Sequence, residues 1–434
     1  MSEIIVHRGT KTIGGNCVEI RSNRQRLLID LGTPLMAPGG GELDENDLIN
    51  PSVENGILPD IKGLYKGETP DISAIFISHA HIDHYGLLSH IHPEIPVYIS
   101  KGTKALIDIG RIFYPDQNKT YFDNHIIFEH WKFIDKGPFK VTSYLMDHSG
   151  FDASSFLIEV NNKKIFYSGD FRGHGRKSKL FNNIIQNPIP DIDCMLLEGT
   201  TLGGNHNIGF DTEKEIEKGF FEIFLKQKDI SFVAAAGSNI DRMVSLYKAA
   251  RNSNKTLVLD LYTYYVLDQL KKIAPGLPPF HGDNVRIFYI KGHAENIVKH
   301  LGKRILYKYK HRKIDIDEMI TKRKDMILKL PLNSIQTICS KISAQKSLEK
   351  TKFIYSMWQG YLEKDQGYLN LCNDFKIQLI QIHTSGHAYI KDLKSIVEAF
   401  KPKKIVPIHT ISSEEFKSNF NNVRLYDDSI PFSI

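Results

Sequence analysis

The chain has 434 residues, of which 41% are hydrophobic and 24% charged, proportions of a folded globular protein long enough for two separate cores. They argue against a disordered chain, and no apolar run approaches the roughly 18 residues that cross a bilayer. Lys and Arg exceed Asp and Glu by six, which permits a polyanionic partner without requiring one.

The N-terminal MSEIIVHRGT lacks the basic-then-apolar pattern of a signal peptide, so the expectation is a cytoplasmic protein with no membrane contact. Cys17, Cys194, Cys339 and Cys372 lie far apart with no CxxC pair, and they read as reduced, buried side chains. Over the first 200 or so residues, short apolar runs alternate with Gly, Pro and Asn/Asp turns: IIVHRG, CVEIRS, RLLIDLG, ISAIFISHA, VYISKG, SFLIEVNN, KIFYSGD and CMLLEGT. Their length and their β-branched and aromatic content predict strands. Ligands gather at strand ends in α/β proteins, which marks Asp30, His79, Asp170 and Glu198.

From about residue 206 helix and strand alternate. TEKEIEKGFFEIFLKQK is a helical pattern capped at Asp211 or Thr212; DISFVAAAG is a strand, DRMVSLYKAARNS a helix and KTLVLDL a strand. The window Lys303–Lys324 carries nine Lys/Arg against three acids. The chain closes as strand, helix, strand: IQLIQIHTSGH, IKDLKSIVEAFKPK and KIVPIHT.

The segment SHAHIDHYG places three histidines and an aspartate directly after an apolar run. A strand followed by a tight loop can aim His79 and His81 at one metal while Asp83 and His84 reach a second. Two metals need further ligands. His148 in MDHSG, Asp170 in YSGDFR and His409 in VPIHT each follow an apolar run, and Asp170 suits a bridging position.

HAHIDH, followed by DHSG, SGD and the late PIHT, resembles the metallo-β-lactamase superfamily. The fold it implies is α/β, an αββα sandwich with the metals at its edge. By that resemblance His79, His81 and His148 hold one metal, Asp83, His84 and His409 the other, and Asp170 joins them, while Asp30 in LLIDLG braces the metal loop. LLEGTTLG resembles the acidic motif of the β-CASP nucleases, centred on Glu198, and HTSGHA their histidine motif, centred on His387; His409 supplies the third. Between the first two lies an insertion of the length of a β-CASP α/β domain. AAGSNIDRMVSLYKAA resembles the FASN-x-x-R segment of the RNase J family, and SGHAYIKDLKSIVEAFKPKKIVPIHT its late motifs. The match covers nearly the whole chain. RNase J proteins usually read PVHG where this chain has PIHT, and they carry a C-terminal domain; with the sequence finishing shortly after His409, the expectation is a short RNase J-like protein without it. The implied division is 1–205 and 376–434 for the sandwich and 206–375 for the insertion.

The function this implies is a two-metal ribonuclease acting on single-stranded RNA, endonucleolytic, from the 5′ end, or both. Its cofactors would be two divalent ions, zinc first because imidazole dominates the donor set, manganese second. Asp83 would orient the attacking water, His387 would protonate the leaving oxygen, and Glu198 would hold the imidazole of His387. Ser385, Gly386, Ser238 and Asn239 suit a phosphate pocket, with helix capping as the other reading of Ser238 and Asn239. Lys308, Lys310, Arg312 and Lys313 in ILYKYKHRK could track a nucleic-acid backbone or line a solvated helix face. His281, His293 and His300 have no motif around them and read as structural. A hydrolase of a small phosphodiester or thioester, a DNA nuclease and a metal-depleted binding scaffold are the competing readings, and a homo-oligomer stays open.

Overall fold

The computed structural model describes residues 2–37, 41–114, 122–204 and 210–434. It divides into two compact units: residues 1–107, 116–206 and 386–434 form the first, and 108–115 with 207–385 the second.

In the first unit two sheets face each other. One has seven strands in the order Phe432–Ser433, Ser2–Arg8, Cys17–Ser22, Gln25–Ile29, Ala74–Ile77, Val97–Ser100 and His125–Phe128; the other has six, in the order Ile405–Ile408, Cys194–Glu198, Lys163–Tyr167, Ser154–Val160, Phe139–Leu145 and Phe133–Lys136. Alternation along each strand sorts the side chains. Leu27 and Ile29 point inward to a core shared with Phe156, Ile158, Tyr167 and Leu196 of the facing sheet. Leu28, Ile75 and Ile77 point outward and are covered by Ile61, Leu64, Leu87, Leu88 and Ile107. On the far side Phe166, Met195 and Leu197 are covered by Phe181 and Ile184 of helix Ser178–Gln186 and by Leu393, Ile396 and Phe400 of helix Ile390–Phe400. This is the αββα arrangement, and it explains why the strands of the sequence pattern read as near-continuous apolar runs: both of their faces are buried.

The second unit is built on seven strands, all paired in parallel, in the order Lys313–Ile314, Val285–Phe288, Thr256–Asp260, Met326–Lys329, Ser231–Ala234, Lys352–Tyr355 and Gln378–Gln381. Helix Glu213–Leu225 opens on a capping box, in which Thr212 accepts from the Glu215 backbone N–H while the Glu215 carboxylate reaches back to the cap. Because Gln378–Gln381 pairs with Lys352–Tyr355, the second unit runs to Ser385 rather than to 375. The boundary expected at 205/206 lies outside the described residues. Among the described residues no helix is long and apolar enough to cross a membrane, and all four cysteines are free and buried.

Candidate metal centre

Strand Ala74–Ile77 delivers Ser78 and His79 at its carboxyl end, and the chain then turns into the one-turn helix Ile82–Tyr85, with His81 at its cap and Asp83 and His84 within it. The preceding strand, Gln25–Ile29, ends at Asp30 in the left-handed region, φ 59°, and the loop behind it passes against the short helix. A Cβ on Gly32 would lie 1.6 Å from the carbonyl oxygen of Asp83, so only glycine allows that approach. The other ligand candidates arrive from strand ends of the second sheet: His148 after Phe139–Leu145, Asp170 after Lys163–Tyr167 and His409 after Ile405–Ile408.

Their donor atoms converge. His79, His81, His148 and Asp170 form one group of potential ligands and Asp83, His84 and His409 a second, while a third combines Asp170, His387 and His409. His84 Nε2 lies 3.1 Å from Asp170 Oδ2, His409 Nε2 3.2 Å from Asp83 Oδ2, His148 Nε2 3.3 Å from His81 Nδ1, and His79 Nε2 3.6 Å from Asp170 Oδ2. A tetrahedral cation with ligands at about 2.0–2.1 Å sets its donors about 3.3 Å apart. Nε2 of His79, Nε2 of His84 and both carboxylate oxygens of Asp170 are buried without a hydrogen-bond partner. Buried polar atoms are rarely left so, and seven donors spaced like this fit divalent cations.

Proton bookkeeping fixes which ring atoms face inward. Asp30, fully buried, accepts from the Ser78 N–H (2.7 Å), the Ser78 hydroxyl (2.7 Å), His84 Nδ1–H (2.8 Å) and the Tyr167 hydroxyl (2.7 Å). A carboxylate donates nothing, so the single proton of Ser78 goes to Asp30. The contact of 3.0 Å between Ser78 Oγ and His79 Nδ1 is therefore donated by the histidine. His79 and His84 thus each carry hydrogen on Nδ1 and turn Nε2 to the cluster, as metal-binding imidazoles do when the other nitrogen is occupied.

Electrostatics sorts the same residues. Burial, reinforced by neighbouring histidines, pushes His79 and His148 well below the usual imidazole range, and burial takes His81 to about 4; these are the neutral forms a metal requires. Burial alone would raise Asp83 and Asp170, but the surrounding histidines outweigh it and hold both carboxyls well below their ordinary range. For His84 burial is overcome by Asp170, Asp30 and Asp83, which favour the imidazolium; a cation at Nε2 would compete with that proton. His387 is pushed up to about 9, since Glu198 and Asp170 outweigh its burial.

Glu198 ends strand Cys194–Glu198 and is itself held on every side. Its Oε1 accepts from the N–H groups of Phe171 and Ala388, each at 3.2 Å, and lies 3.6 Å from His387 Nδ1; its Oε2 accepts from the N–H (3.1 Å) and hydroxyl (2.8 Å) of Thr200. Gly386 packs beside His148 and Ser149, where a Cβ would come within 2.4 Å of Ser149 Oγ.

The remaining sequence candidates lie within the second unit. Ser385, Ser238 and Asn239 belong to the second unit, and Asn239 Oδ1 accepts from the Arg242 N–H at 3.1 Å as the cap of helix Ile240–Asn252. Two of the four basic candidates are committed internally: Lys308 to Asp268 at 2.8 Å, and the Arg312 guanidinium to the carbonyls of His281, Gly282 and Val285. Lys313 lies over the Tyr289 ring, and Lys310 is exposed. Ser78, Tyr167 and Thr200 went unread in the sequence, although each sits inside or beside a motif: FISHAH, FYSGD and LEGTT.

Residues 46–221 match the family described as Beta-lactamase superfamily domain, and residues 374–416 match the Zn-dependent metallo-hydrolase RNA specificity domain. Among curated relatives, Probable RNase MJ4 of Methanocaldococcus jannaschii is 29% identical over 53% of this chain and 51% of its own length. Ribonuclease J of Sinorhizobium meliloti is 24% identical over 89% of this chain and 64% of its own, and Ribonuclease J of Mycoplasma genitalium 21% over 94% and 68%. The chain thus spans about half to two thirds of the length of these relatives. A crystal structure of a protein of unknown function from Enterococcus faecalis V583 superimposes with a TM-score of 0.77 at 22% identity, covering 99% of both chains, which shows the fold. The sandwich and the matched families place the chain in the metallo-β-lactamase superfamily. Within it, the curated relatives that the chain resembles are ribonucleases, among them Ribonuclease J.

Proposed function

We propose that the chain is a metal-dependent ribonuclease that hydrolyses phosphodiester bonds of single-stranded RNA. The observation that carries the reading is the cluster of seven potential ligands with His387 beside it, its ring nitrogen 3.7 Å from Asp170 and 3.6 Å from Glu198. His79, His81, His148 and Asp170 would hold one divalent ion, and Asp83, His84 and His409 with Asp170 the second. Zinc suits a set so rich in imidazole, with manganese as the other ion that two carboxylates admit. Bound there, the ions would neutralise charge developing on the phosphodiester and acidify a water.

The chain's own groups supply the rest. Asp83 accepts a hydrogen bond from the attacking water and orients it. His387, with Glu198 and Asp170 favouring its charged form, carries a proton at neutral pH and delivers it to the leaving oxygen. Glu198, anchored by four hydrogen bonds, keeps the ring in place. The second unit, residues 108–115 and 207–385, would form the β-CASP part, and Ser238, Asn239, Ser385 and Gly386 would contact substrate phosphates.

The test is cleavage of a 5′-labelled single-stranded RNA with zinc or manganese, beside a matched DNA strand and the variants His81→Ala and His387→Ala. Loss of RNA cleavage by about 10²–10⁴-fold in His387→Ala, with metal content unchanged, is the expected result. Intact RNA alongside His81-dependent hydrolysis of a small phosphodiester would replace the substrate in this reading.

A further inference from the structure

Asp30 and Ser78 brace His84 and His79, but neither reaches His409, the ligand candidate that arrives from the other end of the chain. Its Nδ1 lies 2.7 Å from the hydroxyl of Thr200, and that hydroxyl is 2.8 Å from Glu198 Oε2. Both oxygens of Glu198 act as acceptors, taking three backbone N–H groups besides this hydroxyl. The single proton of Thr200 is therefore spent on Glu198, and the carbonyl of His409, 3.3 Å away, does not receive it. With that proton spent, the contact to His409 must be donated by the histidine, so Nδ1 carries hydrogen and Nε2 is the atom turned toward Asp83.

The turn that makes this contact is tied down independently. Gly199 N–H donates to the Ile408 carbonyl at 3.1 Å, the residue before His409, and Thr201 donates to the Ala388 carbonyl at 2.6 Å, the residue after His387. His409 itself sits at φ 50°, a left-handed conformation that a residue with a Cβ holds only when its surroundings fix it. A hydroxyl that grips the ring is part of that fixing.

We infer that Thr200 is a positioning residue for the metal centre: it passes the hold of Glu198 to His409, selecting the tautomer that presents Nε2 as a ligand. Glu198 then serves both halves of the site, His387 through Oε1 and His409 through Oε2 and Thr200. The inference rests on the metal-holding reading above, and it assigns a role to the first threonine of LEGTT that the acidic motif alone does not contain.

The variants Thr200→Val, which keeps shape and removes the hydroxyl, and Thr200→Ser, which keeps the hydroxyl, separate chemistry from packing. Zinc affinity is measured by competition against a chromophoric chelator on the full chain, with metal-free thermal unfolding and the imidazole nitrogen NMR shifts of His409 in parallel. The expected result is a 10- to 100-fold weaker zinc site in Thr200→Val, the range for removing a hydrogen-bond partner of a metal-ligating histidine, and affinity near the parent's in Thr200→Ser. The metal-free Nδ1–H tautomer of His409 should be lost in the valine variant alone. Parent-like zinc affinity and tautomer in Thr200→Val would overturn the inference while leaving the metal centre standing. A parent chain that binds neither zinc nor manganese would overturn both.

Discussion

Replacing Asp30 with Asn isolates what the buried carboxylate does, because asparagine tolerates the left-handed backbone at this position and matches the aspartate in shape. The two oxygens have unequal duties: Oδ1 accepts from the Ser78 N–H, and Oδ2 from the Ser78 hydroxyl, His84 Nδ1 and the Tyr167 hydroxyl. The amide nitrogen therefore settles at the Oδ1 position, where it faces one donor instead of three. An orphaned buried N–H costs about 1–3 kcal/mol, and hydrogen bonds to a charged group exceed neutral ones by about 1 kcal/mol each. With one orphan and three weakened bonds, the first unit should lose about 4–6 kcal/mol. The His84 and His79 rings should loosen as well, with zinc binding 10- to 100-fold weaker. The chain has two tryptophans, Trp131 in the first unit and Trp358 in the second, so urea unfolding in a Trp358→Phe background follows the first unit alone. A loss under about 1 kcal/mol together with parent-like zinc affinity would refute the reasoning.

Gly32→Ala should be more damaging than its size suggests, because the added Cβ would lie 1.6 Å from the Asp83 carbonyl oxygen and the helix carrying Asp83 and His84 has to move. A loss of at least about 3 kcal/mol and of bound zinc is expected, read by metal analysis and urea titration. In the second unit, Asp260 caps helix Leu261–Ile273 and accepts from Lys329 at 2.8 Å; burial opposes its charge, but Lys329 outweighs burial and holds its carboxyl below the ordinary 3.8. A depressed folded pKa means that the stabilisation is present above the unfolded value of about 3.9 and is lost as pH falls through the folded one. Acid unfolding followed through Trp358 should accordingly be shallower below about pH 4 in Asp260→Asn, at lower stability near neutrality. Thr212→Ala removes one half of the capping box and should cost about 1 kcal/mol, measured by the shift in the denaturant midpoint of the second unit.

The eight strands read from the first 200 residues all form, and what made them readable was burial on both faces of two stacked sheets. The strands that went unread show the converse. His125–Phe128 and Phe133–Lys136 are the edge strands of their sheets, with most side chains exposed or half-buried, so Ile126, Ile127 and Phe133 stay exposed and four residues are too few for an alternation to show. Phe139–Leu145 has the period-2 burial of a strand, but Lys140, Thr142, Ser143 and Tyr144 blur the contrast between its faces. Composition also misled in the basic window. Lys308 and Arg312 count as free charge in a sequence, yet their partners, Asp268 and the carbonyls of residues 281–285, lie 27 to 40 residues away along the chain.

The same contrast runs through the candidate metal centre. His79, His81, Asp83 and His84 announce themselves because one strand end and one helical turn carry all four, and His148, Asp170 and His409 because each closes an apolar run. Several of the groups that orient them are single hydroxyls with no pattern of their own. Tyr167 reaches Asp30 across 137 positions and Thr200 reaches His409 across 209, so their roles exist only once the two sheets are stacked. A hydroxyl has one proton, and its direction follows from which neighbour cannot donate. That neighbour is Asp30 for Ser78 and Glu198 for Thr200, the two acidic residues that the sequence did mark. The carboxylates therefore each set a hydroxyl that in turn sets a histidine of the candidate ligand set, and Asp30 holds His84 directly as well.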